Sequence, residues 1–309
     1  LQERKAPRSR SGACHFVCAP RIAPATAAVM PPDAAFCHGR PRSDGLSLHK
    51  NYAKTQGRCC MLEWLVLIGA GFAAGVLNAV AGGGTFLSFP ALVWAGVPPI
   101  TANATATLAA LPGYLSSAWG FRDDLEAGGR LSLRALLAVS VLGGVIGALL
   151  LVVTPASVFL GIVPWLLLAA TLLFAFGPKM MAALRSLGVA QAGSVVSALV
   201  LLGVSVYGGY FNGGLGIVLL AAFTVLGYSN LHAMNGLKSV VSSVLSVVST
   251  VTFIAAGIID WHYALPLALA SALGGYLGAR LSRRITNTTL LRWFVTAVGA
   301  VMSLVFFLR

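Results

Sequence analysis

Charge is scarce in this 309-residue chain. Asp, Glu, Lys and Arg together make up 9% of it, where a soluble domain carries roughly one quarter. That is too little to clothe a water-soluble globule of this size, and it excludes a typical soluble enzyme, a disordered protein and a nucleic-acid-binding domain. Cysteine is missing after Cys60, which removes thiol nucleophiles and Cys-based metal centres from the rest of the chain. No Gly-Lys-Ser/Thr phosphate loop and no His-Glu-x-x-His pair occurs, so neither nucleotide-driven nor zinc-protease chemistry has its usual residues. What remains is apolar: 58% hydrophobic residues and a mean hydropathy of +0.87. Repeated apolar runs long enough to cross a bilayer predict an all-α polytopic membrane protein.

The composition breaks at Met61. Cys14, Cys18, Cys37, Cys59 and Cys60 all precede it, with ten of the 21 Lys and Arg and six of the 14 prolines, whereas all six tryptophans follow it. Residues 1–60 show no sustained apolar period and are rich in Arg, Pro, Ala and Ser, which predicts a disordered basic extension. Cys14-His15 and Cys37-His38 do not fall at zinc-ligand spacing. The chain opens on Leu1, and Met61 leads straight into an apolar helix, so an artefact of start-site assignment is the expected origin of this segment.

From Met61 onward, ten apolar segments are predicted, near 62–81, 85–97, 101–121, 132–153, 157–177, 191–211, 215–227, 233–258, 262–281 and 289–308. Two are short, 85–97 and 215–227, and each follows glycines. They occupy matching places. A shift of 131 residues lays Gly82-Gly83 on Gly213-Gly214, Gly96 on Gly227, Ala102 on Ala233 and Leu142-Gly143-Gly144 on Leu273-Gly274-Gly275, without a gap. The domain reading is therefore a first transmembrane repeat over 61–178, a cytoplasmic linker over 179–192 and a second repeat over 193–309. Five segments per repeat, some broken or re-entrant, give an odd number, which places the halves in opposite orientations. Arg122, Arg130, Arg134, Lys179, Arg185, Arg280, Arg283, Arg284 and Arg292 then fall in or beside links on one side, the cytoplasmic side by the positive-inside rule.

Within hydrocarbon a helix breaks only where the freed backbone groups meet protein or water. Asn78-Ala-Val-Ala-Gly82-Gly83-Gly84-Thr85 and Asn212-Gly213-Gly214-Leu-Gly216 are such breaks, and each opens a short helix whose N-terminus carries free N–H donors and partial positive charge. Two such ends converging make a candidate anion site; close helix packing is the plainer use of the same glycines. Asn103 and Thr107 share a helical face, with Thr105 beside them, ahead of a Pro112-Gly113 kink. Asn235, Lys238 and Ser242 share another. Lys238 is the only basic residue deep in an apolar stretch, where a cation costs about 2.5–3.5 kcal/mol and turns to a cavity or snorkels to an interface. Asp260, Trp261 and His262 read as an interfacial corner.

At these residues the chain resembles the sulfite exporter TauE/SafE family. The resemblance covers 61–309 and none of 1–60. It rests on Gly75-x-x-Asn78-x-x-x-Gly82-Gly83-Gly84, Gly96-Val-Pro98-Pro99, Ala102-Asn103-Ala-Thr105 and Trp119-Gly-x-Arg122. The second half adds Gly208-Gly209-Tyr-Phe-Asn212-Gly213-Gly214-Leu-Gly216, Met234-Asn235-Gly-Leu-Lys238 and Gly274-Gly275-Tyr-Leu-Gly278-Ala-Arg280. Ala106 is a departure, since similar sequences often carry a second Asn there. The resemblance implies a multi-pass plasma-membrane protein, in the bacterial inner membrane, that moves small sulfur-containing or organic anions.

The expected function is therefore a permease for a small anion, such as sulfite or an organosulfonate, working by alternating access. An anion channel or a non-transporting integral-membrane partner is the alternative. The expected site is Asn78, Gly82, Gly83, Gly84, Thr85, Asn103, Thr105, Thr107, Asn212, Gly213, Gly214, Gly216, Asn235 and Lys238. No catalytic residue, metal or cofactor is expected. The partners are the small anionic substrate and the lipid bilayer, with a coupling proton or ion left open, and no nucleic acid.

Overall fold

The computed structural model describes residues 45–80, 82–122, 131–186, 193–228, 230–282 and 289–308. These form ten helices and no strand: α1 (Gly45–Val80), α2 (Thr85–Trp94), α3 (Pro99–Gly120), α4 (Leu133–Val153), α5 (Ala156–Ser186), α6 (Ser194–Tyr210), α7 (Leu215–Val225), α8 (Leu231–Ala255), α9 (Trp261–Ser282) and α10 (Thr289–Phe307). The chain divides into two compact units, Leu1–Leu62 and Glu63–Arg309. In the first, α1 already begins at Gly45, within the segment whose composition suggests disorder. The expectations that rest on Cys14, Cys18 and Cys37 lie outside the described residues, as do Arg130, Arg283 and Arg284.

Among the described residues, five helices are long and apolar enough to span a bilayer, over Met61–Val80, Leu133–Val153, Ala156–Gly177, Ala233–Ala255 and Trp261–Leu281. Large apolar side chains face outward on the second unit, among them Val153, Trp165, Leu269, Leu273 and Trp293. In water such a surface is unstable; in a bilayer it matches the solvent. The span in α8 is the most enclosed, 61% buried against 35–44% for the other four, so α8 lies at the centre. α2 and α7, with ten and eleven residues, reach only about 15–17 Å as helix. α5 continues to Ser186, so helix occupies much of the stretch between the halves. Pro112 lies inside α3, which continues on both sides of it.

Glycine contacts set the helix directions. Along α9, Gly274 and Gly278 abut Phe72 and Val76 of α1, while Gly75 of α1 meets Ser271 and Gly275. Gly113 of α3 meets Ser271, and Gly120 meets Ala279. The helices α1, α3 and α9 thus run the same way, each advancing beside the others. In the same manner Gly143 and Gly147 of α4 abut Ser205 and Val206 of α6, and Gly144 lies on Leu245 of α8. Helices α3 and α8 run in opposite senses, since Ser117 late in α3 meets Ser239 early in α8 and Thr105 early in α3 meets Asp260 beyond the end of α8. The late-α3 Ser117 hydroxyl bonds that of Ser239, early in α8, at 3.0 Å, and the early-α3 Asn103 reaches the last residue of α6. At these seams a side chain larger than hydrogen would push the backbones apart, which is why glycine recurs there.

The two short helices end alike. Gly96 and Gly227 both adopt φ 89°, a conformation that glycine takes without steric penalty. Gly96 N–H bonds Val93 O at 3.1 Å and Val97 N–H bonds Leu92 O at 3.0 Å; the corresponding bonds at Gly227 and Tyr228 are 3.2 and 2.9 Å. This is the same helix-terminating motif in both places.

Candidate functional site

The two glycine-rich breaks touch. Gly216 N–H donates to Gly82 O at 3.0 Å, and a Cβ on either glycine would collide with the other's Cα. Gly82 has φ 81° and Gly214 φ 70°, so both turns use backbone shapes that L side chains rarely adopt. Gly84 N–H donates to Asn78 Oδ1 at 2.7 Å, which caps the start of α2 from the last turn of α1. Gly83 O accepts from Phe86 N–H, and Gly213 O accepts from the Tyr207 hydroxyl. The amides of Gly84 and Gly216 thus already have partners. Buried N–H groups require acceptors, and here each break finds one in its own half or in the other.

The broken helices leave carbonyls as well as amides, and a side chain from elsewhere reaches each of two. Asn103 Nδ2 donates to Tyr210 O, the last residue of α6, at 2.9 Å. Lys238 Nζ donates to Ala79 O, in the last turn of α1, at 3.3 Å, and to Asn235 Oδ1 at 3.0 Å. Helix C-terminal carbonyls carry partial negative charge, so a cation there is favoured. Lys238 is wholly buried. Glu63 and Asp260 are the only acids among the described residues. Glu63 accepts from Tyr263 OH, and Asp260 accepts from His262 N–H. Glu63 lies sixteen positions from Ala79 along α1, or about 24 Å. The ammonium group therefore has one N–H beyond its two bonded acceptors, and neither of the two described acids is bonded to it.

Further polar groups crowd the same interior. Tyr114 OH donates to Asn212 Oδ1 at 3.2 Å. Asn78 Nδ2, Thr85 Oγ1, Asn103 Oδ1 and Asn212 Nδ2 are buried without hydrogen-bond partners. Thr107 spends its hydroxyl on Asn103 O at 2.9 Å. Thr105 turns another way, its Oγ1 accepting from Asp260 N–H at 3.0 Å; it holds the corner before α9 rather than meeting the breaks. That corner also gathers the rings of Trp64, His262 and Tyr263. Tyr114 was not among the expected residues, although it continues the Asn103–Thr107 face at helical spacing. Among the described residues, no group of three His, Cys, Asp or Glu side chains is placed to hold a metal ion.

Comparison with known proteins agrees with this architecture. The family model described as sulfite exporter TauE/SafE matches residues 67–306. A "Probable membrane transporter protein" from Haemophilus influenzae is 31% identical over 241 residues, which is 77% of this chain and 92% of that protein. The "Probable membrane transporter protein ORF9" of Sinorhizobium sp is 30% identical over 219 residues, 68% of this chain and 80% of that one. The "Probable membrane transporter protein YfcA" of Escherichia coli K12 is 30% identical over 244 residues, 77% of this chain and 87% of that one. No solved structure matches the chain.

Proposed function

We propose a substrate class and a mechanism for this chain, which belongs to the sulfite exporter TauE/SafE family: it carries a small oxyanion, sulfite or an organosulfonate, across the plasma membrane by alternating access. The family and the relatives' names give a multi-pass membrane transporter. The observation that supports an anion is the wholly buried Lys238, which has a spare donor and, among the described residues, no carboxylate bonded to it. A buried charge without a counter-ion is expensive, and a substrate anion is what would offset it. Asn78, Asn103 and Asn212 supply unpartnered polar atoms in the same interior.

Alternating access draws support from the pairing of elements. Helices α1, α3 and α9 run together and α3 runs against α8, while α4 runs with α6 and the short α2 and α7 share one terminating motif. In this reading they are inverted repeats, each with a short helix entering at the centre. Gly82 and Gly216 touch where the halves cross, with no side chain between them to resist rocking. The test is counterflow in liposomes containing the full chain, with sulfite, sulfoacetate and acetate as probes. Saturable flux, accelerated by anion on the far side and lost in Lys238→Ala, is the expected result. Non-saturating current would replace the carrier with a channel, and no flux of any probe through correctly inserted protein would overturn the anion.

A further inference from the structure

α8 carries two kinds of hydroxyl. Ser239, Ser243 and Thr252 bond back to the carbonyls of Asn235, Ser239 and Val248, at 3.0, 2.8 and 3.0 Å. This is the usual way for a hydroxyl to satisfy itself on a helix in an apolar setting. Ser242, Ser246, Ser249 and Thr250 have no hydrogen-bond partner, though they are 0%, 1%, 0% and 4% exposed. Four such groups on one helix are unusual, because a buried hydroxyl without a bond is destabilising.

These positions are ordered. Asn235, Lys238, Ser242, Ser246 and Ser249 follow one another at spacings of three and four, so they line a single face, with Thr250 at its edge. Successive members stand about 5–6 Å apart. The face starts at the buried ammonium and runs eleven residues to Ser249, about 16 Å, or half of a ~30 Å hydrocarbon core. It heads toward the end of the bundle where Thr105 meets Asp260. Beside it lies α3, tied at Ser117–Ser239 and antiparallel, since Thr105 meets Asp260 beyond the other end of α8. Stepping from that contact puts Tyr114 level with Ser242, Ala110 level with Ser246 and Thr107 level with Ser249.

We propose that this α3–α8 seam is the half-channel by which the anion travels between Lys238 and the Thr105–Asp260 end of the protein, handed from one unspent hydroxyl to the next. The proposal rests on the anion reading above. Hydroxyls suit such a passage, since each offers an O–H donor to an oxyanion in place of water, without a fixed charge that would trap it. A cation would instead want carboxylates, and neither described acid lies on this face. When α3 and α8 are packed together the seam is closed, so passage requires them to part.

The test measures sulfite and sulfoacetate counterflow, together with thermal melts, for the wild type, Ser246→Ala/Ser249→Ala, Ser243→Ala and Lys238→Ala in the full chain. Removing a hydroxyl that bonds nothing does not weaken the fold, so the double variant should melt at or above the wild-type temperature. Its flux should drop at least about tenfold, the scale of hydrogen bonds to a charged partner. Ser243→Ala, off the face and bonded within α8, should stay within twofold. If the double variant carries anion like the wild type while Lys238→Ala does not, the conduit is overturned and the anion site stands. If the wild type carries neither probe, the anion reading fails and the conduit with it. Equal losses in the double variant and in Ser243→Ala would also overturn the proposal, since they would mark a general packing effect.

Discussion

Replacing Lys238 by Met separates the two roles that a buried cation can have. The substitution roughly keeps the volume of the side chain and removes its charge. On the side of stability, opposing terms meet. The wild type holds an ammonium group out of water at an effective penalty of several kcal/mol, and Met removes that penalty. Ala79 O and Asn235 Oδ1 then lose their donor, which costs about 1–3 kcal/mol each. The sum lies near zero, so the melting temperature should stay within about 5 °C of the wild type at the usual few degrees per kcal/mol. Binding has no such compensation. A unit charge pair at 4 Å and an effective dielectric of 20 is worth about 4 kcal/mol, close to a thousandfold in affinity. Equilibrium binding of labelled sulfite to purified protein, measured beside a thermal melt, reads both quantities. Met-variant binding within threefold of the wild type would remove Lys238 from the site. A melt lowered by more than about 10 °C would make the lysine chiefly a structural tie to α1.

Three further outcomes follow from the packing. Gly216→Ala forces a methyl group into the Cα of Gly82; overpacking of this kind costs about 1–3 kcal/mol, so the folded yield by size exclusion should fall, and Gly193→Ala, which has open space around it, should not change it. Thr105→Val leaves Asp260 N–H without its acceptor, so the melt should drop by an amount matching about 1–3 kcal/mol while the apparent KM for sulfite holds. Single cysteines at 134 and 280, in a chain whose native cysteines are replaced by serine, should react with an impermeant reagent from the same side of the membrane; reaction from opposite sides would break the inverted reading.

Much of the fold was legible because a bilayer imposes simple rules. Each apolar run of about twenty residues had to be a helix, and each of the ten predicted segments falls on one of the ten described helices, although α1 begins earlier, at Gly45, and α5 runs on to Ser186. Gly82-Gly83-Gly84 and Asn212-Gly213-Gly214 stood out as breaks because nothing else in hydrocarbon uses three such residues together. Asn103, Asn212, Asn235 and Lys238 were visible as polar groups in apolar surroundings. Their partners were not visible. Lys238 bonds a carbonyl 159 positions away, and Asn103 bonds one 107 away; a backbone oxygen leaves no mark in the sequence. The idea that the short helices aim free amides at a common pocket also needed coordinates, because Gly84 and Gly216 find acceptors in Asn78 and Gly82. On α8 the spacing from Lys238 to Ser242 was legible, and it continues to Ser246 and Ser249. Which hydroxyls bond back to the helix and which do not was decided only by rotamers.

The crossing of Asn103 onto Tyr210 O, and of Lys238 onto Ala79 O, has a bearing on biogenesis. Each half completes a helix end belonging to the other, so neither is finished by itself. During synthesis the leading half must wait in the bilayer, its α1 terminus uncapped, until the eighth helix arrives from the ribosome. A gene cut between the halves should therefore yield two fragments that are degraded when expressed singly and rescued when expressed together.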